Sequence, residues 1–179
     1  YEVDLRLRPE GSAGAVATPL DRLAHYIDTD IWLWEKLALT KARFVAGDDN
    51  LSDMAMKPIH DAINQAHNRD DVMASITDMR KRMAASQTAT SKWQLRLQTG
   101  GLGDLDLLIQ GLRLIHGDHF VKSGQTVAEI LALLTTDKLI DSNDANILAD
   151  AHMVMGNAQH ALRLSMESTR TINDALPPA

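Results

Sequence analysis

The chain contains no cysteine. That absence excludes disulfides and thiolate metal sites, and it fits a cytoplasmic protein, which is the expected location. No apolar run approaches the roughly 18 residues of a membrane span, and no signal-peptide pattern is present, so no membrane partner is expected. Aromatic residues make up only 4% of the chain. Ala, Leu and Met are plentiful instead, which is the composition of a helical bundle. Basic residues are the minority charge, 18 Lys and Arg against 24 Asp and Glu, for a net charge of −6. Neutralising a phosphate backbone takes a basic surface, so no nucleic-acid partner is expected either. An initiator Met is also missing, and the chain opens on a strand pattern with no second strand run nearby. The expectation is a fragment whose upstream part is missing. Its 179 residues suffice for one domain, or a domain with part of another, around a real core.

What is present begins at the first residue. Tyr1, Val3, Leu5 and Leu7 alternate with Glu2, Asp4, Arg6 and Arg8, the period of a strand with one apolar and one polar face. Asp4, Arg6 and Arg8 project the same way. Pro9 ends the strand, and Gly11 and Gly14 allow a tight turn. An acid beside two guanidiniums suits a site where a divalent cation and phosphates meet. The same residues also fit an exposed strand carrying a charge ladder.

Helical patterns fill the remainder. The expected helices span Leu20–Asp28, then Asp30–Ala46 closed by Gly47 as a left-handed cap. The second would bury Ile31, Trp34, Ala38, Ala42 and Val45, with Trp32 also in the core. Residues 47–50 form a loop and the best domain boundary. A stripe from Leu51 to Ala66 is interrupted by Pro58, which should kink or restart that helix. Val72, Ile76, Met79 and Met83 give Asp70–Ser86 a clean seam. Gln94–Arg96 reads as extended. Gly100 and Gly101 precede a central apolar helix, Asp104–His116. Such a glycine pair can offer amides to an anion, yet Asp104 and Asp106 in the first turns suit capping and packing. His116 and His119 invite a metal reading but lack a third ligand at suitable spacing. Short and long helices follow, Val127–Leu134 and Asn143–Thr171, the latter burying Ile147, Ala151, Val154, Ala158, Ala161 and Leu162.

Three blocks, VDLRLRPEGSAG (Val3–Gly14), WLWEKLALTKARFVAGD (Trp32–Asp48) and WQLRLQTGGLGDLDLLIQ (Trp93–Gln110), stand in an order and at a spacing that resemble bacterial glutamine synthetase adenylyltransferases. The AVAT after the first turn and the WQLR before the glycine pair look like the C-terminal copy of that duplicated enzyme. The resemblance implies transfer of AMP from ATP to a tyrosine of glutamine synthetase, and its removal, in the control of nitrogen assimilation. It implies Mg²⁺ as cofactor and ATP as substrate. Asp4 matches the third metal carboxylate and would be catalytic. Arg6, Arg8, Lys41 and Arg43 would contact nucleotide or phosphate, and Glu35, Asp104 and Asp106 would support them from behind.

This sequence departs from the family pattern at Lys36, Leu37 and Lys41, and again at Gln94, Arg96 and Asp106, where an acid, a lysine and a glutamate are usual. The fold expected from all this is mainly α. Residues 1–47 would be a nucleotidyltransferase remnant contributing an N-terminal strand, and residues 48–179 an antiparallel helical bundle. With the upstream carboxylate pair absent, the fragment alone should be inactive. A different class of function stands beside this one, a non-catalytic docking or regulatory module for glutamine synthetase or a PII-type signal protein. A related protein uridylyltransferase is a third reading.

Overall fold

The structure, a computed structural model, describes residues 14–86, 89, 91–121 and 123–165. The expected strand Tyr1–Leu7, with Asp4, Arg6 and Arg8, lies outside the described residues. Among the described residues the chain is mainly α, with no strand. Its elements are α1 (Leu20–Thr29), α2 (Leu33–Leu39), α3 (Asp49–Ile63), α4 (Arg69–Ser86), α5 (Leu102–Ile115), α6 (Val127–Thr136) and α7 (Ser142–Ser165), with a 3-10 turn at Gly117–His119.

α5 organises the packing. Its Leu107 and Leu114 join Ile27, Leu37, Ile59, Ile63, Val72 and Ile76 in one core cluster, drawn from α1 to α4. Ile109, on another side of α5, joins Phe120, Ile130, Leu131, Leu134 and Ala145 in a second cluster with α6 and α7. An all-round apolar helix is stable only when covered from several sides. Gly111 lets α4 come close, since a Cβ there would stand 2.4 Å from Ile76 Cδ1. Gly117 permits a closer approach still. A Cβ at that position would lie 2.1 Å from the Gln65 carbonyl oxygen and 2.6 Å from that of Ile63.

Helix starts follow local chemistry. Asp48 Oδ1 accepts the Leu51 amide at 2.8 Å, and Asn68 Oδ1 accepts those of Asp70 and Asp71. Thr126 and Glu129 form a reciprocal capping pair at the start of α6. The seam expected on α4 is seen, with Val72 and Ile76 buried and Met79 and Met83 packed against the first cluster.

Other expectations need correction. α2 ends at Leu39 rather than Ala46. The Thr40 carbonyl, free to continue the helix, instead accepts the Gly124 amide at 3.0 Å, and the Ala42 carbonyl accepts Ser123 Oγ at 2.7 Å. Gly47 therefore caps nothing; its φ of +136° serves the turn into α3. Trp32 is 68% exposed and Val45 83%, and Leu37 is the residue α2 buries. α3 runs unbroken through Pro58, because Ile59, Ala62 and Ile63 anchor its second half in the core. Gln94–Arg96 is a run of tight turns, with Leu97 N donating to Gln94 O at 2.8 Å. α7 is rotated from the expected phase. Ile147 and Val154 are exposed, while Ala145 is buried and Leu148 and Ala149 pack.

Candidate functional site

Asp106 lies in the second turn of α5, and its side chain is only 8% exposed. Three cationic or cation-forming groups surround it. Lys41 Nζ lies 2.9 Å from Oδ1, Arg96 Nη1 lies 3.1 Å from Oδ2, and His152 Nε2 stands 3.7 Å from Oδ1. Four segments meet there: the end of α2, the turn before α5, α5 itself and α7. The Lys41 and Arg96 side chains remain 50% and 52% exposed. The acid is thus buried while its basic partners reach solvent, which leaves their remaining donors available to an anion.

Glycines create this geometry. A Cβ on Gly101 would stand 2.2 Å from the Leu95 carbonyl oxygen, and one on Gly103 2.4 Å from that of Arg96. Only bare backbone lets the 94–99 turn lie across the start of α5 and deliver Arg96 to Asp106. The amides of the glycine pair and of Leu102 are already used. Leu102 N donates to Leu95 O, Gly101 N to Gln98 O and Gly100 N to Asp104 Oδ2. The glycine pair is a packing device here and offers no free amide cradle.

Asp104 is held by Arg80, which donates from Nε at 2.7 Å and Nη2 at 2.6 Å. Partial burial opposes its ionisation, but the Arg80 and Gly100 hydrogen bonds outweigh that and keep its carboxyl below the ordinary value. Glu35 is occupied locally: Tyr26 Oη donates to it at 2.7 Å, and it accepts the Trp32 amide at 2.9 Å to cap α2. Arg43 is exposed and forms no ion pair among the described residues. Of the residues singled out from sequence, the structure brings Lys41 and Asp106 together. Asp104, two residues and about half a turn before Asp106, pairs with Arg80 instead, Glu35 and Arg43 do not join, and Asp4, Arg6 and Arg8 lie outside the described residues.

Sequence reasoning missed His152, Arg80 and Arg113. The first was legible in principle, since Ala145, Leu148, Ala149 and His152 keep helical spacing on the packed side of α7. Arg113 is fully buried. It donates from Nη1 to Ile63 O at 3.1 Å, hydrogen-bonds Asn64 and stacks 4.0 Å over the Phe120 ring. Burial pulls its pKa down to about 10. No apolar-stripe argument places an arginine inside. His119 pairs with Asp137 at 2.8 Å, and no three His, Cys, Asp or Glu converge as a metal site among the described residues.

Lys41 comes from the second of the sequence blocks described above, and Arg96 and Asp106 from the third. The family model described as glutamate-ammonia ligase adenylyltransferase matches residues 1–58. Relatives extend the likeness over nearly the whole chain. The bifunctional glutamine synthetase adenylyltransferase/adenylyl-removing enzyme of Xanthobacter autotrophicus is 33% identical over 178 residues, 99% of this chain and 18% of the relative. That of Bartonella quintana is 32% identical over the same length and shares. The Bradyrhizobium sp. enzyme is 30% identical over 172 residues, 96% of this chain and 16% of the relative. The chain belongs to the glutamine synthetase adenylyltransferase family. A second family model, described as GlnD PII-uridylyltransferase, matches residues 70–173, so the helical part of this adenylyltransferase-family chain is also similar to a uridylyltransferase. The chain spans 16–18% of the length of these curated relatives.

Proposed function

We propose that this chain is the part of a glutamine synthetase adenylyltransferase where a helical domain follows the catalytic segment, and that Asp106 holds Lys41 and Arg96 ready for nucleotide phosphate. The observation that carries the reading is the meeting of two family blocks at one buried carboxylate. The parent would move AMP from ATP to a tyrosine of glutamine synthetase, and could remove it again, in the cytoplasm. Arg43 lies two residues beyond Lys41 and stays exposed, in keeping with a phosphate contact. Arg6 and Arg8 would act from the N-terminal segment.

The described residues do not fit a Mg²⁺ site. Asp106 already faces two or three positive groups, and a divalent cation there would be repelled by them. Asp4 is the carboxylate we assign to metal binding. In such transferases Mg²⁺ neutralises triphosphate charge; the residues above would bind and orient the nucleotide. In the full-length parent, Asp4→Asn should lower AMP transfer to glutamine synthetase at least about a hundredfold, roughly 2.7 kcal/mol. Wild-type transfer would sink the assignment. The 179-residue chain by itself should give no transfer.

A second reading, docking, is favoured by apolar side chains left open to solvent: Trp32 on one side, and Ile147 and Val154 along α7. Glutamine synthetase or a PII-type protein would be the partner. The likeness of residues 70–173 to a PII-uridylyltransferase supports the latter.

A further inference from the structure

Arg96 has a second use. Besides closing the Asp106 cluster with Nη1, it lines a cleft of about 310 Å³ together with Arg80, Lys81, Gln98, Thr99 and Asp104. The lining carries three basic side chains and one acid, on a chain whose net charge is −6. That local excess of positive charge needs a reason.

Its arginines are pre-oriented. Arg80 is fixed by a two-pronged contact with Asp104, and Arg96 by Asp106. Both anchoring acids sit on the rigid first turns of α5. Arg80 Nη1 and the Nε and Nη2 of Arg96 make no other hydrogen bond among the described residues. A guanidinium held by a carboxylate behind it loses less side-chain freedom when it grips an anion in front. Thr99 is exposed at the rim and makes no hydrogen bond among the described residues, while Met83, Ala84 and Leu97 supply an apolar wall.

We infer that this cleft binds a small molecule ending in closely spaced anionic oxygens, either a phosphate monoester or a dicarboxylate. The cleft shares Arg96 with the nucleotide-phosphate reading, but it rests on Arg80 and the cleft lining and does not require adenylyl transfer. Fixed arginine forks suit such an end group, and the apolar wall accommodates a short carbon body.

Amide spectra of the ¹⁵N-labelled 179-residue chain, titrated with inorganic phosphate and separately with succinate, test this. Saturable shifts confined to Arg96–Thr99 and the facing turn of α4 are expected with at least one probe, and the tighter probe identifies the class. Arg96→Gln and Arg80→Gln should each weaken binding by about tenfold or more. Lys57→Gln removes an equal charge from a surface pair with Asp61 and should change affinity by less than about twofold.

Both arginines also steady α5, so Thr99→Glu provides the control that leaves every described hydrogen bond in place. It should abolish binding while the remaining spectrum stays as in wild type. No saturable shift with either probe up to about 20 mM, a concentration that would nearly fill a site of about 1 mM Kd, would overturn the proposal. So would Lys57→Gln weakening binding as much as Arg96→Gln, because the attraction would then be that of overall charge.

Discussion

Replacing Asp106 by Asn keeps the side chain's size and removes the charge that holds three segments to α5. At the 2.9 Å separation of Lys41 Nζ and Asp106 Oδ1, Coulomb's law gives about 6 kcal/mol at an effective dielectric of 20 and about 1.4 kcal/mol in water. Lys41 and Arg96 are each about half exposed, so the net pairing lies toward the lower figure, and both can return to water when the acid is lost. The buried acid has more at stake than its partners.

A total loss of about 2–3 kcal/mol is expected, with a Tm lower by about 4–12 °C for a chain of this size. A double-mutant cycle with Lys41→Met isolates the pair and should return a coupling of about 1 kcal/mol. Chemical denaturation of the four proteins measures both quantities. A coupling within about 0.3 kcal/mol of zero, together with an unchanged Tm, would refute the idea that Asp106 ties α2 to α5.

Gly117→Ala would push a Cβ to within 2.1 Å of the Gln65 carbonyl oxygen. Backbone cannot step aside as a side chain can, so the cost should be at least about 2 kcal/mol, and a wild-type urea midpoint would show the approach to be looser. His60, His67 and His116 are all held below their ordinary value of 6.5, mainly by burial. The unfolded chain then binds more protons than the folded one just below pH 6.5, so stability is full above that pH and falls as pH drops through the depressed folded values. Replacing the three by Gln should flatten that slope in thermal melts from pH 7.5 to 5. An unchanged slope would place the titrating groups elsewhere. Asp104 acts in the same sense at lower pH: its contribution is present above pH 3.8 and is lost as pH falls through its depressed folded value.

Helix content was readable from the sequence because the relevant forces are local. Capping by Thr126 and the turn at Asn68 involve atoms a few residues apart, and the α4 seam repeats within one helix. The centrality of α5 was also readable, since a helix apolar over most of its circumference has to be covered on several sides. Tertiary structure decided where those periods face and where they stop. α7 carries two overlapping apolar stripes, and contact with α6 chose the one through Ala145 and Ala149, which in turn brought His152 to Asp106. α2 ends early because its next carbonyls are taken by Ser123 and Gly124, more than eighty residues away. The four residues at the Asp106 cluster are spread from position 41 to 152, and no spacing rule connects them. Only close backbone approach at Gly101 and Gly103 brings Arg96 to the acid, a fact of packing that the glycines permit and do not by themselves announce.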